Sequence, residues 1–301
     1  MINFNQKNLK GIIPILYTFF NKNNSIDIEL MKDQISLIVK QQSNGIACLG
    51  LASEVNKLSL KEKIKIIELI SACCPRHFIK ATTIQATTLK DYKKLIDVAK
   101  VNNTDWIILQ PFLRKNTKDI DCYNFYKAIL PKTEGFLTGI QNAKEYIGVG
   151  LNSQQVKKLY DKFSNFRAIK GEASSVIIKE EIKKYPKDLI VFNGRGGQEI
   201  IDNLNVGCRG IVPCLDFSDK LLNIYKNFQS KNIEIAEKQY KELLPSIVFV
   251  MQSIQTLICY GKRVCAYRMG VKKVYDRKPC LNPTDYGIKK TKQIVSEIGV
   301  F

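Results

Sequence analysis

The feature that most constrains this chain is an alternation. Short apolar runs rich in β-branched residues take turns with amphipathic stretches, and the alternation repeats eight times before a purely helical tail begins. The candidate strands are Gly11–Tyr17, Gly45–Leu49, Phe78–Thr82, Asp105–Gln110, Phe136–Gln141, Phe166–Lys170, Leu189–Asn193 and Arg209–Pro213. Between them lie helical patterns such as Val156, Leu159, Tyr160 and Phe163, which recur at i, i+3, i+4 and i+7 and so share one face. Eight strand–helix units in series, with no long linker or low-complexity segment, predict an α/β fold. A closed parallel (β/α)8 TIM barrel is favoured over an open doubly wound sheet. The glycines of Gly194-Arg195-Gly196-Gly197 follow a strand, but they lack the G-x-G-x-x-G spacing of a dinucleotide-binding turn and come far too late in the chain. After Pro213 only helical patterns remain, and Pro245 is expected to end or kink a long helix after Leu244. The division expected is a barrel core over 1–218, then the eighth barrel helix and a C-terminal helical appendix over 219–301.

Composition narrows the function. An apolar content of 45% over 301 residues can fill a barrel core. The stretch Met1-Ile2-Asn3-Phe4-Asn5-Gln6-Lys7 lacks the basic-then-apolar pattern of a secretory leader, and no apolar run is long enough to cross a bilayer, so a soluble, cytoplasmic protein without membrane contact is expected. The nine cysteines are odd in number and include no C-x-x-C pair, which fits thiols in a reducing compartment better than a disulfide framework or a zinc cluster. With His77 the only histidine, catalysis by Ser-His-Asp or Cys-His pairs and His-rich metal sites are excluded in practice, and no metal or organic cofactor is expected. Proton transfer falls to Lys, Tyr, Glu, Asp or water. The formal charge of +19 is spread as lysine over every helical stretch, without the clustered arginine and aromatic interleaving of a nucleic-acid surface; it would draw in an anionic substrate instead.

In a parallel barrel the C-terminal ends of the strands line the active site. Here those ends are polar: Tyr17-Thr18, Gly50-Leu51-Ala52-Ser53-Glu54, Thr82-Thr83, Gln110, Gln141-Asn142, Lys170-Gly171-Glu172 and Asn193-Gly194. Lys170 stands out because it closes an apolar run, and strand alternation points Phe166, Ala168 and Lys170 to one face. Apolar walls disfavour an ammonium and so supply the free amine that attacks a carbonyl. A strand-end lysine can equally snorkel to water.

Several segments, in order, resemble the dihydrodipicolinate synthase and N-acetylneuraminate lyase family of Schiff-base aldolases. Gly11-Ile12-Ile13-Pro14-Ile15-Leu16-Tyr17-Thr18-Phe19-Phe20, with Asp27 downstream, looks like its first strand. Gly50-Leu51-Ala52-Ser53-Glu54 occupies the place of its G-T-T-G-E segment, with Leu58-Ser59 following. Gly148-Val149-Gly150-Leu151 sits where its strand-five loop ends, and Phe166 to Ser174 resembles its Schiff-base lysine motif. Gly194 and the run Gly207-Cys208-Arg209-Gly210-Ile211-Val212 match its seventh- and eighth-strand segments. The resemblance implies that Lys170 forms an imine with a small 2-oxo acid, and that Leu51, Ala52, Ser53, Gly194 and Val212 border the substrate. It also implies a homotetramer, a dimer of dimers.

The departures from that pattern are as informative. The family's proton-shuttling tyrosine of Y-N-x-P is Gln141, which can orient groups but cannot act as an acid or base. Its partner threonine is Ala52, the tyrosine contributed by a neighbouring subunit is replaced within Pro111-Phe112-Leu113, and the synthase arginine that grips a second carboxylate aligns with Tyr146. Lysine-biosynthetic synthesis is therefore disfavoured. The strand-five segment and the turn ending in Ser53-Glu54 are similar to the branch that dehydrates 2-keto-3-deoxy sugar acids such as 2-keto-3-deoxyarabonate. Glu172, two residues beyond Lys170, is the candidate acid/base, although a carboxylate near a helix N-terminus is also favoured by the helix dipole. Tyr17 and Tyr146 are weaker candidates, and Glu54 reads as structural. The expected activity is that of a Schiff-base lyase, a dehydratase or an aldolase. A divergent condensing enzyme and a non-catalytic 2-oxo acid sensor are the alternatives. The loops Phe112–Lys115 and Gln141–Tyr146 would set substrate length.

Overall fold

The computed structural model describes residues 9–113 and 116–301; the leader reading at Met1–Lys7 and the end of the Phe112–Lys115 loop lie outside the described residues. Eight parallel strands form one sheet in the order β1-β8-β7-β6-β5-β4-β3-β2. They are β1 (Gly11–Ile12), β2 (Gly45–Cys48), β3 (Ile79–Ile84), β4 (Trp106–Leu109), β5 (Leu137–Asn142), β6 (Phe166–Gly171), β7 (Ile190–Asn193) and β8 (Gly210–Ile211). The sheet closes through the segment after β1. Ile15 bridges Ala47 on one side and Cys214 on the other, and Leu16 N–H donates to the Ala47 carbonyl at 3.0 Å. The fold is the TIM barrel expected.

Every strand is buried on both faces, as a parallel sheet wrapped in helices requires. Trp106 and Phe192 meet inside the barrel with ring centroids 5.1 Å apart. Gly139 makes room for the indole, since a Cβ there would lie 2.6 Å from Trp106 Nε1. Helices follow each strand, and their starts are written locally. Ser59 accepts from Glu62 N–H while the Glu62 carboxylate accepts from Ser59 N–H, a reciprocal cap on Leu60–Cys73.

Two sequence expectations need correction. The first and last strands are shorter than Gly11–Tyr17 and Arg209–Pro213 suggest, because Pro14 and Pro213 have no N–H to give the ladder. Of the two outcomes expected at Pro245, an end or a kink, the end does not occur: the helix runs unbroken over Ile233–Val250. Burial of Leu243, Ile247 and Val250, along a face that packs on helix Ser218–Gln229, outweighs the one hydrogen bond that proline removes. The chain then bends by 98° into Ile254–Arg268, which crosses the C-terminal mouth of the barrel. Among the described residues no single helix is long and apolar enough to span a membrane.

Candidate active site

Lys170 and Glu172 lie at the C-terminal end of β6, and both are almost fully buried. Alternation along the strand puts them on one side, and the ladder is carried past β6 by Glu172 N–H donating to the Asn142 carbonyl (2.9 Å). The Lys170 ammonium donates to Glu172 Oε1 in a tight ion pair. Gln141 is in register with Lys170 across β5 and β6, and its Nε2 donates to both Glu172 oxygens at 3.2 and 3.1 Å. Its own Oε1 is buried without a partner. Gln141 therefore reaches the lysine through Glu172 and holds the carboxylate.

Gly194 closes the other side. A Cβ at this position would fall 2.6 Å from Glu172 Oε1 and 2.8 Å from Lys170 Cε, so only glycine lets the β7 loop approach the pair. The loop is fixed by Gly194 N–H donating to the Gly171 carbonyl at 3.0 Å.

The Gly50–Glu54 turn packs beside the pair as a short 3-10 segment over Leu51–Ser53. The Ser53 hydroxyl is directed away from the lysine: it donates to the Leu16 carbonyl at 2.6 Å, while the Ser53 carbonyl accepts from Thr18 Oγ1 at 2.6 Å. What the turn offers the site is backbone, since the first N–H groups of such a segment have no partner within it. Glu54 ends the turn in a left-handed conformation (φ 56, ψ 37). Its carboxylate accepts from Lys262 Nζ and Lys57 Nζ, both at 2.5 Å.

Ile15, Leu51, Ala52, Lys170, Glu172, Gly194, Gly196, Val212, Cys214, Met251, Ile254 and Leu257 enclose a cavity of about 20 Å3, room for about one water. Of the residues read from sequence, Lys170, Glu172, Leu51, Ala52, Gly194 and Val212 meet there, while Ser53 and Gln141 stand behind the wall. Sequence reasoning missed the roof of Met251, Ile254 and Leu257, which arrives from the helical tail with no motif to mark it. The structure shows the approach at Gly196, whose φ is +63 and where a Cβ would lie 2.7 Å from Met251 Sδ.

Tyr17 lies deeper, its hydroxyl donating to Asp216 Oδ2 at 3.2 Å. Burial pushes the Asp216 carboxyl up to about 7. Burial, and then the charge of Asp216, hold the Tyr17 phenol well above its ordinary value. Tyr146 is half-buried; burial raises its phenol, and a hydrogen bond with the Arg195 side chain works against that rise. Arg195 is itself paired with Glu199 at 2.7 Å and Glu145 at 3.7 Å. Among the described residues, no group of three or more His, Cys, Asp or Glu could hold a metal ion.

Known proteins resemble the chain over most of its length. Residues 8–298 match the model of the dihydrodipicolinate synthetase family. The chain is 26% identical over 253 residues to a 4-hydroxy-tetrahydrodipicolinate synthase of Karelsulcia muelleri, covering 79% of this chain and 82% of that one. It is 24% identical to an uncharacterized DapA-like lyase of Pyrococcus horikoshii over 96% of this chain and 100% of the other. Among solved structures, a sialic acid aldolase of Ruminococcus gnavus superposes with a TM-score of 0.87 at 17% identity, covering 97% of each chain.

Proposed function

The chain belongs to the dihydrodipicolinate synthetase family of class I aldolase-type lyases, and from that premise we propose that it binds the carbonyl of a small 2-oxo acid as an imine on Lys170 and moves the substrate's protons with Glu172. The observation that carries this reading is the buried Lys170–Glu172 pair facing a small cavity at the barrel mouth. An ammonium cannot attack a carbonyl; the adjoining carboxylate can take its proton, leaving the amine free to add to C2. The protonated Glu172 then returns that proton to the carbinolamine hydroxyl, which leaves as water and gives the iminium. The substrate carboxylate is assigned to the backbone of Leu51 and Ala52.

The iminium draws electrons from the bonds to C3. In a 2-keto-3-deoxy acid bearing a 4-hydroxyl, Glu172 removes the C3 proton, the pair forms C3=C4, and the C4 hydroxyl leaves with a proton as water. Alternatively the C4 hydroxyl loses its proton, C3–C4 breaks, an aldehyde departs and the resulting enamine is protonated at C3. Dehydration is the preferred branch. Retro-aldol cleavage needs a base at the C4 hydroxyl, where the family places the tyrosine that Gln141 replaces. The same replacement argues against the synthase reaction named for the Karelsulcia relative, and the buried carboxylate against the lysine favours catalysis over a sensing role. The reading includes a homotetramer, which rests on the family resemblance, and a reducing cytoplasmic setting, supported by nine free cysteines.

Glu172→Gln tests the role of the carboxylate. Loss of a general acid/base is expected to slow turnover of 2-keto-3-deoxy acids about 10^2- to 10^4-fold, measured by steady-state kinetics. Turnover within a factor of a few of wild type would remove Glu172 from the mechanism.

A further inference from the structure

The walls beyond Lys170 and Glu172 have a composition that bears on the substrate. Above the pair lie Met251, Ile254 and Leu257; beside it lie Ile15, Val212 and Cys214. None of these six carries a charged, amide or hydroxyl group. Several polar groups of the adjoining turn and strands are already paired: the Ser53 hydroxyl on Leu16, the Thr18 hydroxyl on Ser53, Gly194 N–H on Gly171 and Val212 N–H on Asn193. Arg195, between the two lining glycines, is held by Glu199 and Glu145.

On these grounds we infer that the part of the substrate beyond C4 is a short apolar group, an aliphatic or aromatic tail, and that Met251, Ile254 and Leu257 are the specificity-determining residues that receive it. The inference rests on the Schiff-base reading above and narrows its substrate class. A hydroxylated tail of the 2-keto-3-deoxyarabonate kind would exchange water for the apolar side chains of Met251, Ile254 and Leu257, and each hydroxyl left unpaired costs about tenfold or more in affinity. An aliphatic tail exchanges water for carbon and sulfur, which favours binding. The cavity is small, so the tail enters by parting the roof. Ile254 is the least completely buried member, on a three-residue helix just beyond the 98° bend, and is the residue placed to yield.

The test is borohydride reduction of the full-length protein with matched concentrations of pyruvate, 2-oxopentanoate, 4-methyl-2-oxopentanoate and 2-keto-3-deoxyarabonate, read by intact mass and peptide mapping. Imine trapping needs no turnover, so all four acids report on one scale. The branched and linear aliphatic acids are expected to be trapped on Lys170 about tenfold or more in preference to the sugar acid. Ile254→Asn is expected to shrink that ratio, and Leu257→Asn serves as a second variant. A sugar acid trapped as well as the aliphatic acids would overturn the inference while leaving the Schiff-base reading intact. A ratio unchanged in both folded variants would overturn the role of the roof. Absence of trapping with every acid, pyruvate included, would overturn the Schiff-base reading and this inference with it.

Discussion

At the scale of single residues, the buried groups with the largest consequences sit around the lysine. Asp216 is enclosed by Tyr17, Cys214 and the backbone of Gly261, where a Cβ would lie 2.9 Å from its carboxylate. Its folded-state value, raised by burial from 3.8 to about 7, makes it a pH-dependent liability. The stability its protonated form contributes is fully present below about pH 4 and is lost as pH rises through 7. Asp216→Asn keeps the shape and an acceptor for the Tyr17 hydroxyl but removes the titration. The variant should gain on wild type by roughly 1–4 kcal/mol between pH 4 and pH 8, checked by denaturant unfolding across that range. A wild-type-minus-variant difference independent of pH would show that Asp216 does not titrate as its burial implies. Ser53 gives the residue-scale limit of sequence reading. Its position in the turn was legible, but which way its hydroxyl points depends on the Leu16 carbonyl, brought beside it only by barrel closure.

At the scale of elements, the strands were legible because burial on both faces leaves a run of β-branched and aromatic residues. The ends of β1 and β8 were misjudged because past Pro14 and Pro213 the pairing continues only as isolated bridges, Ile15 with Ala47 and with Cys214. Pro245 misled for the opposite reason, since tertiary packing overrode a local breaker. The union of the Gly50–Glu54 turn with the C-terminal helices could not be read at all, because it joins Glu54 to Lys262 across 208 residues. Lys262 and Glu54 are completely buried side chains, so removing one charge strands the other. Glu54→Gln should destabilise the protein by roughly 3–5 kcal/mol, toward the lower end because Asp276 stands 3.5 Å from Lys262, seen as a lowered midpoint in thermal or urea unfolding. An unchanged midpoint would mean that the turn is anchored elsewhere.

At the scale of the whole molecule, the barrel brings to one mouth residues from both ends of the chain: Ile15 from the first strand segment, Lys170 and Glu172 from β6, and Met251, Ile254 and Leu257 from the tail. The proposed reading keeps the family's frame and gives the work of its tyrosine relay to Glu172, the carboxylate that Gln141 holds against the lysine. The central claim is that this lysine forms the imine. Its most direct measurement is peptide-mapped mass spectrometry after borohydride reduction with pyruvate, on wild type and Lys170→Ala. The account predicts one pyruvate-derived adduct on Lys170 and none in the variant, whose folding is verified by circular dichroism because Lys170→Ala strands the buried Glu172 carboxylate. An adduct of equal yield on another lysine, or one that survives in Lys170→Ala, would contradict it.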